Sequence, residues 1–251
     1  MNNLVAFIPA REGSVGVKGK NWRNLAGTPL VKWTLDFALK APAFKKIVVS
    51  TDSAAVCEIS TDSIITRTNF NDLPEASLSQ VSEKLFLHKR PSKQAQTLSL
   101  INEVLFEFVA TNRIFEGVDF LMLLQPTSPF RNQEELGKIL VHLDDSNWSS
   151  VVSVSDVEGM HPDRMYSISH NRAIRLVSQI GSDNMPRQLL NKIYIKDGAY
   201  YLLRMDNLRN NIMLGNEILP FIRSGYSTIN IDSEKDFILA EYVCRLNLLN
   251  D

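Results

Sequence analysis

An α/β architecture, a mostly parallel sheet with helices on both faces, is what these 251 residues predict. Three observations carry that expectation. Short apolar runs alternate with segments of helical apolar spacing, the pattern of strands joined by right-handed helical crossovers. Several of the runs are continuous rather than alternating, as in strands buried on both faces. Polar loops follow three of them directly, as expected where ligands gather at the carboxyl edge of a parallel sheet.

The elements follow in order. Leu4 to Ile8 is the first strand, and "IPAREGSVGVKGKN" the loop that leaves it. "TPLVKWTLDFALK" reads as a helix with Thr28 as N-cap and Pro29 at the first helical position. Its apolar stripe is Leu30, Val31, Thr34, Phe37 and Ala38. "KIVVS" at 46–50 is a strand ending in "STDS"; 98–110 is a helix; "FLMLL" at 120–124 is a strand ending in "QPTSPFR". Asn132 caps the next helix, with Glu135 completing a capping box. "SVVSV" at 150–154, "GAYYLL" and "STINI" read as strands, and a closing helix starts at the cap pair Ser233 and Asp236. Segment 67–96 is irregular and expected to be partly mobile. The polar segment 155–195 reads as an insertion into a single domain spanning 1–251, packing on the sheet or on a second subunit.

Composition is that of a globular chain, 44% hydrophobic and 22% charged, long enough to bury a core. A net charge of −1 argues against a global basic field for nucleic acid or anionic membrane, so any anion site is local. Cys57 and Cys244 lie far apart with no paired spacing, which argues against a disulfide framework or zinc site and for a reducing cytoplasm. The first residues lack the basic and long apolar regions of a signal peptide, and no run is long enough to span a bilayer.

The topology would bring Arg11, Lys18, Lys20, Asp52, Gln125 and Thr127 to one crevice. The opening loop spaces Gly13, Gly16 and Gly19 among cations. It is neither a Walker loop nor a dinucleotide fingerprint, but glycines free backbone N–H groups and cations supply charge for a phosphate. Its other reading is a solvated connection. The four histidines show no ligand or triad spacing and read as surface or structural, and both cysteines read as core.

"IPAREGSVGVKGKN", "VVSTDS", "RP" at 90–91, "LLQPTSPFR", "MPRQ", "DGAYY" and "INIDSEKDFILAE" stand in this order over almost the whole chain. Together they resemble the acylneuraminate cytidylyltransferase family, the CMP-sialic acid synthetases and their legionaminate and pseudaminate relatives. The resemblance implies a nucleotide-diphospho-sugar transferase-like fold, a dimer built through the insertion, Mg²⁺, and transfer of CMP from CTP to a 2-keto-3-deoxy sugar acid. It implies that Arg11, Ser14, Lys20, Asn21, Asp52 and Arg90 hold the nucleotide. Gln125 and Thr127 would place the sugar near the α-phosphate, with Arg11, Lys20 and Gln125 as the catalytic set. Arg164, Arg187 and Tyr201 would contact the sugar acid, and Asp232 would ligate Mg²⁺. Plainer roles stand beside these: Arg90 as a loop end, Asp52 and Asp232 as helix caps, Tyr201 as a core strand residue.

The chain departs from the family pattern in three places. Val15 stands where a lysine is usual, with Lys18 nearby; Gln96 replaces a carboxylate; Asn230 replaces the first of two late aspartates. All three remove charge near the reacting phosphates. A weakened or inactive nucleotide- or sugar-binding relative, or a transferase for another base or sugar acid, therefore stays open.

Overall fold

The first strand, β1 (Leu4–Pro9), explains why the sheet is covered twice. Leu4, Ala6 and Ile8 point into one apolar cluster and Val5 and Phe7 into another, the period-two consequence of a strand buried on both faces. The computed structural model describes residues 3–96, 99–145, 147–170, 172–176 and 186–250. Among them the strands that join β1 are β2 (Phe44–Thr51), β3 (Leu78–Gln80), β4 (Leu85–Lys89), β5 (Phe120–Leu123), β6 (Ser150–Asp156), β7 (Tyr194–Arg204) and β8 (Ile218–Arg223). They form one sheet in the order β8-β6-β7-β5-β1-β2-β4-β3. Only β7 and β3 run antiparallel to their neighbours.

Helices α1 (Leu30–Lys40), α2 (Ala54–Ser60), α3 (Arg67–Asp72) and α5 (Gln133–Leu140) cover one face; α4 (Ile101–Thr111) and α6 (Met205–Arg209) cover the other. The last helix, α7 (Glu234–Arg245), packs Phe237, Ala240 and Val243 on Val17, Leu25, Leu30 and Phe130. No helix of the described residues is long and apolar enough to cross a membrane.

The structure corrects several local expectations. Thr28 does not cap α1: Thr28 and Pro29 pair with Asn24 and Leu25 as a small antiparallel ladder, and α1 begins at Leu30 without a side-chain cap. The predicted stripe of α1 is nevertheless the buried one. Asn132 caps α5, but the carboxylate of Glu135 accepts from Arg223 and Tyr200 instead of closing a capping box. "STINI" is not a strand; Gly225–Thr228 is a 3₁₀ turn, and the sheet takes Ile218–Arg223 instead. Segment 67–96 holds α3, β3 and β4. The box of Ser233 and Asp236 is present as expected.

Segment 155–195 leaves the sheet between β6 and β7. It carries the turn Pro162–Arg164 and an exposed antiparallel hairpin, Tyr166–Ser169 with Arg172–Arg175. Residues 177–185, including Met185 of "MPRQ", lie outside the described residues.

A buried polar network joins β7 and β8 to the turn after β5. Arg223 donates to Asp197 at 2.9 Å, to Glu135 at 2.8 Å and to the Phe130 carbonyl. Asp197 also accepts from Ser153 and from the Ala199 amide. Asp197→Ala removes the buried partner of Arg223 Nη1 and leaves Glu135 as its one carboxylate, which should cost about 3–5 kcal/mol, read as a lowered urea midpoint. In the opposite sense, Gly137 sits inside α5, and a Cβ there meets nothing within 4 Å. Gly137→Ala should stabilise by about 0.5–1 kcal/mol in the same measurement.

Candidate active site

A cleft of about 430 Å³ opens at the carboxyl ends of β1, β4 and β5. Pro9, Arg11, Ser14, Val15, Gly16, Lys20 and Asn21 form one wall, with Arg90 beside them. Gln125, Pro126 and Thr127 follow β5, Asn230 and Asp232 close the far side, Ser99 precedes α4, and Ile101 and Val104 lie in its first turn.

The glycine-rich loop is pinned rather than loose. Val17 is fully buried against α7. Asn21, also buried, donates to the Arg11 carbonyl at 2.8 Å and accepts from the Val31 amide. Gly16 lies directly on the 230–232 segment: a Cβ on it would stand 1.8 Å from the Asp232 carbonyl oxygen. Glycine serves there for close approach. Lys20 Nζ donates to the Ile231 carbonyl at 2.7 Å and to Asp232 Oδ1 at 3.2 Å. Asn230 Nδ2 donates to the other carboxylate oxygen at 2.6 Å. Arg11 is steadied by the Gln96 carbonyl at 2.6 Å.

Asp52 accepts from the Glu12 amide at 2.8 Å and so props the loop from behind; Ser53, not Asp52, caps α2. Arg90 is 5% exposed. Its Nε donates to Ser50 Oγ at 3.2 Å and its Nη2 to the Ser50 carbonyl at 3.1 Å. Burial draws its pKa down to about 10, which leaves it charged at neutral pH. Across the cleft, Arg131 donates to the Gln125 carbonyl at 2.6 Å. The Gln125 side chain lies against Gly198, where φ is +79° and a Cβ would come 3.0 Å from Oε1. The Ile231 amide donates to the Thr127 carbonyl at 2.7 Å.

Arg11, Ser14, Lys20, Asn21, Arg90, Gln125, Thr127 and Asp232 thus share one cleft. Asp52 supports it from outside, and Lys18 is exposed and does not line it. Arg164 sits on the exposed turn of the insertion, and the side chain of Arg187 lies outside what the structure describes. Tyr201 is 7% exposed and packs in the apolar cluster under α4, the plainer of its two roles. Asp232 is not the cap of α7; Ser233 is. Reading the sequence alone missed Ser99, Ile101 and Val104, whose only signal is their place at the start of a helix. A larger cavity of about 590 Å³ lies between α1 and the start of α5. Arg131, on its wall, spends all three guanidinium nitrogens on Ala199, Thr34 and Gln125, so the chemistry does not converge there.

No cluster of three metal-ligating side chains occurs among the described residues. Asp232 is the carboxylate on the cleft wall, and its side chain is 66% exposed. That donor set fits a hard cation held mainly by a bound ligand's oxygens, with one protein carboxylate.

Known proteins match this chain along its length. A family model described as Cytidylyltransferase matches residues 5–85. The CMP-N,N'-diacetyllegionaminic acid synthase of Legionella pneumophila is 30% identical over 247 residues, covering 97% of each chain. The N-acylneuraminate cytidylyltransferase of Streptococcus agalactiae is 27% identical over 238 residues; the match covers 93% of this chain and 51% of that protein. In fold, the chain is similar to a CMP:2-keto-3-deoxy-manno-octonic acid synthetase complexed with CTP. That match has a TM-score of 0.63 at 15% identity, covering 98% of this chain and 100% of that one. Sheet, cleft and relatives together define a nucleotidyltransferase. The chain belongs to the cytidylyltransferase family that includes the legionaminic acid and acylneuraminate enzymes.

Two outcomes follow from the cleft's packing. Gly16→Ala should push the loop off the 230–232 segment and destabilise by about 1–3 kcal/mol, read by urea unfolding. His88, buried beside Arg90, has its pKa lowered to about 4, first by burial and then by the Arg90 charge. An unfolded histidine titrates near 6.5. The unfolded chain therefore takes up the proton first, and this share of stability is complete above about pH 6.5 and lost as pH falls toward 4. His88→Asn should flatten the stability decline over that window, measured by unfolding at pH 7 and pH 4.5.

Proposed function

We propose that the cleft joins CMP from CTP to a 2-keto-3-deoxy nonulosonic, sialic-type sugar acid and releases pyrophosphate. The observation that carries this reading is the charge balance under the pinned loop: Arg11, Lys20 and Arg90 face the single carboxylate of Asp232. A triphosphate supplies the missing negative charge, and the names of the relatives supply the base and the sugar class.

In the reaction the sugar's anomeric hydroxyl attacks the α-phosphorus. An oxygen–phosphorus bond forms, the bond to the β-phosphate's bridging oxygen breaks, and pyrophosphate and the hydroxyl proton leave. Such transfer rests on positioning and charge neutralisation rather than on a covalent nucleophile. Arg11 and Lys20 would hold the phosphates, Ser14 and Asn21 would fix the loop around them, and Arg90 would line the nucleoside side. Gln125 and Thr127 would orient the sugar. Asp232 would hold Mg²⁺, which when bound neutralises phosphate charge. Lys20 would then exchange Asp232 for phosphate. Arg164 and Arg187 suit the sugar carboxylate, which a guanidinium pairs with in a bidentate fork. Because Arg164 does not line the cleft of its own chain, this assignment goes with a homodimer built through 155–195. A cytoplasmic setting suits the free thiols of Cys57 and Cys244.

Pyrophosphate release should require CTP, Mg²⁺ and the sugar acid together, and Arg11→Ala should lower kcat/KM by about 10²–10³-fold. Among CTP, UTP, GTP and ATP, CTP should raise the melting temperature most. A non-catalytic reading has one observation in its favour: Val15 stands 77% exposed at the cleft, where a lysine side chain has room. If the purified protein binds CTP and releases no pyrophosphate with any nonulosonate, that second reading replaces the first.

A further inference from the structure

Arg90 is a cation buried beside the cleft, and the residues that hold it are themselves buried. Ser50, near the end of β2, is fully buried, and His88 on β4 is 3% exposed. The parallel register of β2 and β4 sets Ser50 opposite His88. Ser50 Oγ lies 3.0 Å from His88 Nδ1 and accepts from Arg90 Nε at 3.2 Å. The Ser50 carbonyl takes a second bond, from Arg90 Nη2 at 3.1 Å, and the Arg90 amide is tied to the Thr51 carbonyl. Two of the three guanidinium nitrogens, Nε and Nη2, are therefore held by one residue. Among the described residues nothing accepts from Nη1, which leaves it for the cleft that Arg90 lines.

We propose that Ser50 and His88 are positioning residues for nucleotide binding: a relay from Arg90 Nε–H to Ser50 Oγ, and from Ser50 Oγ–H to His88 Nδ1, fixes the Arg90 guanidinium against the bound nucleotide. The direction of the relay follows from inventory. Arginine can only donate, so the serine oxygen accepts from it, and the serine proton is free to go to an imidazole nitrogen carrying a lone pair. His88 is held neutral by burial, which keeps that lone pair available. Its ring packs on Phe108 of α4 at 4.3 Å between centroids, so the last member of the relay rests on the helix whose start forms the cleft wall. An arginine without this support would keep its charge and lose its aim, and aimed hydrogen bonds to a ligand are what a flexible cation gives up.

This inference rests on the nucleotide reading above, and its test separates the two. CTP, UTP, GTP and ATP are titrated calorimetrically into the intact protein, and the KM and kcat of pyrophosphate release are measured alongside. For the nucleotide that wild type binds best, Ser50→Ala should weaken binding and raise KM by about tenfold, the scale of one hydrogen bond to a charged group, with kcat within about twofold. His88→Leu should act in the same direction, while His88→Asn, which keeps an acceptor, should recover part of the loss. In an Arg90→Lys background, which has no Nε–H, Ser50→Ala should add nothing. Equal losses from Ser50→Ala in the Arg90 and Lys backgrounds would reduce Ser50 to a packing residue and overturn the proposal. So would an unchanged KM in a folded Ser50→Ala or His88→Leu protein. If wild type binds CTP, only the relay has failed; if it binds none of the four nucleotides, the functional reading falls and the relay with it.

Discussion

Arg223 and Asp197 meet at 2.9 Å with both side chains essentially closed to water. Two charges removed from solvent are costly, and the arrangement is tolerable only when the remaining donors and lone pairs are filled. Here they are: Arg223 spends its other nitrogens on Glu135 and the Phe130 carbonyl, and Asp197 its other oxygen on Ser153 and the Ala199 amide. Because the partners come from β6, β7, β8, α5 and the turn after β5, satisfying the pair fixes that turn in space. Ser128 then bonds to the Asp197 carbonyl at 2.6 Å. Arg131 ties the Gln125 carbonyl to β7 through the Ala199 carbonyl. One wall of the cleft is thus the outer face of a buried ionic core.

The opposite wall is held by apolar packing instead. Val17 anchors the glycine-rich loop among the side chains of α7, and Arg23 covers Phe237 at 4.0 Å while pairing with Glu234. The two walls meet where Gly16 lies on Asp232 and Lys20 bonds to Ile231 and Asp232. The lysine's charge is therefore partly offset by the one carboxylate of the cleft wall, while Arg90 bonds only to neutral groups of Ser50.

The parts legible in the sequence were those whose signal is local. β1, β2 and β5 are continuous apolar runs, and the loops behind them reach one edge because parallel strands share a direction. Ser233 and Asp236 announce α7 by spacing alone. β4 was hidden because "LFLHK" ends in His88 and Lys89, residues that look like loop until the register with β2 buries the histidine. β8 was hidden by Pro220, which is tolerated because this strand closes the sheet's edge. The reading of Tyr201 as a sugar contact came from motif resemblance, and its burial depends on which face of β7 looks toward α4. Asp52 read equally well as a cap because its partner, the Glu12 amide, lies 40 residues back in the chain. Arg131, Arg223, Asp197 and Glu135 carry no local pattern at all; their association exists only in three dimensions.

The contact between Lys20 and Asp232 joins positions 212 residues apart, so the cleft is completed only when the segment around Asp232 has folded back onto the opening loop. Contacts of such long sequence separation form against a large loop-closure entropy and are characteristic of slow, late events. A nascent chain emerging from the ribosome has its glycine-rich loop early and nothing to close it against. Val17 waits for Phe237, Gly16 for Asp232, and Lys20 for the Ile231 carbonyl. The cleft is consequently complete only once the 230–232 segment and α7 have docked on the loop. An intermediate with the first strands in place and α7 undocked would expose the apolar bed of Val17, Leu25 and Leu30, the kind of surface that makes partly folded chains prone to aggregate.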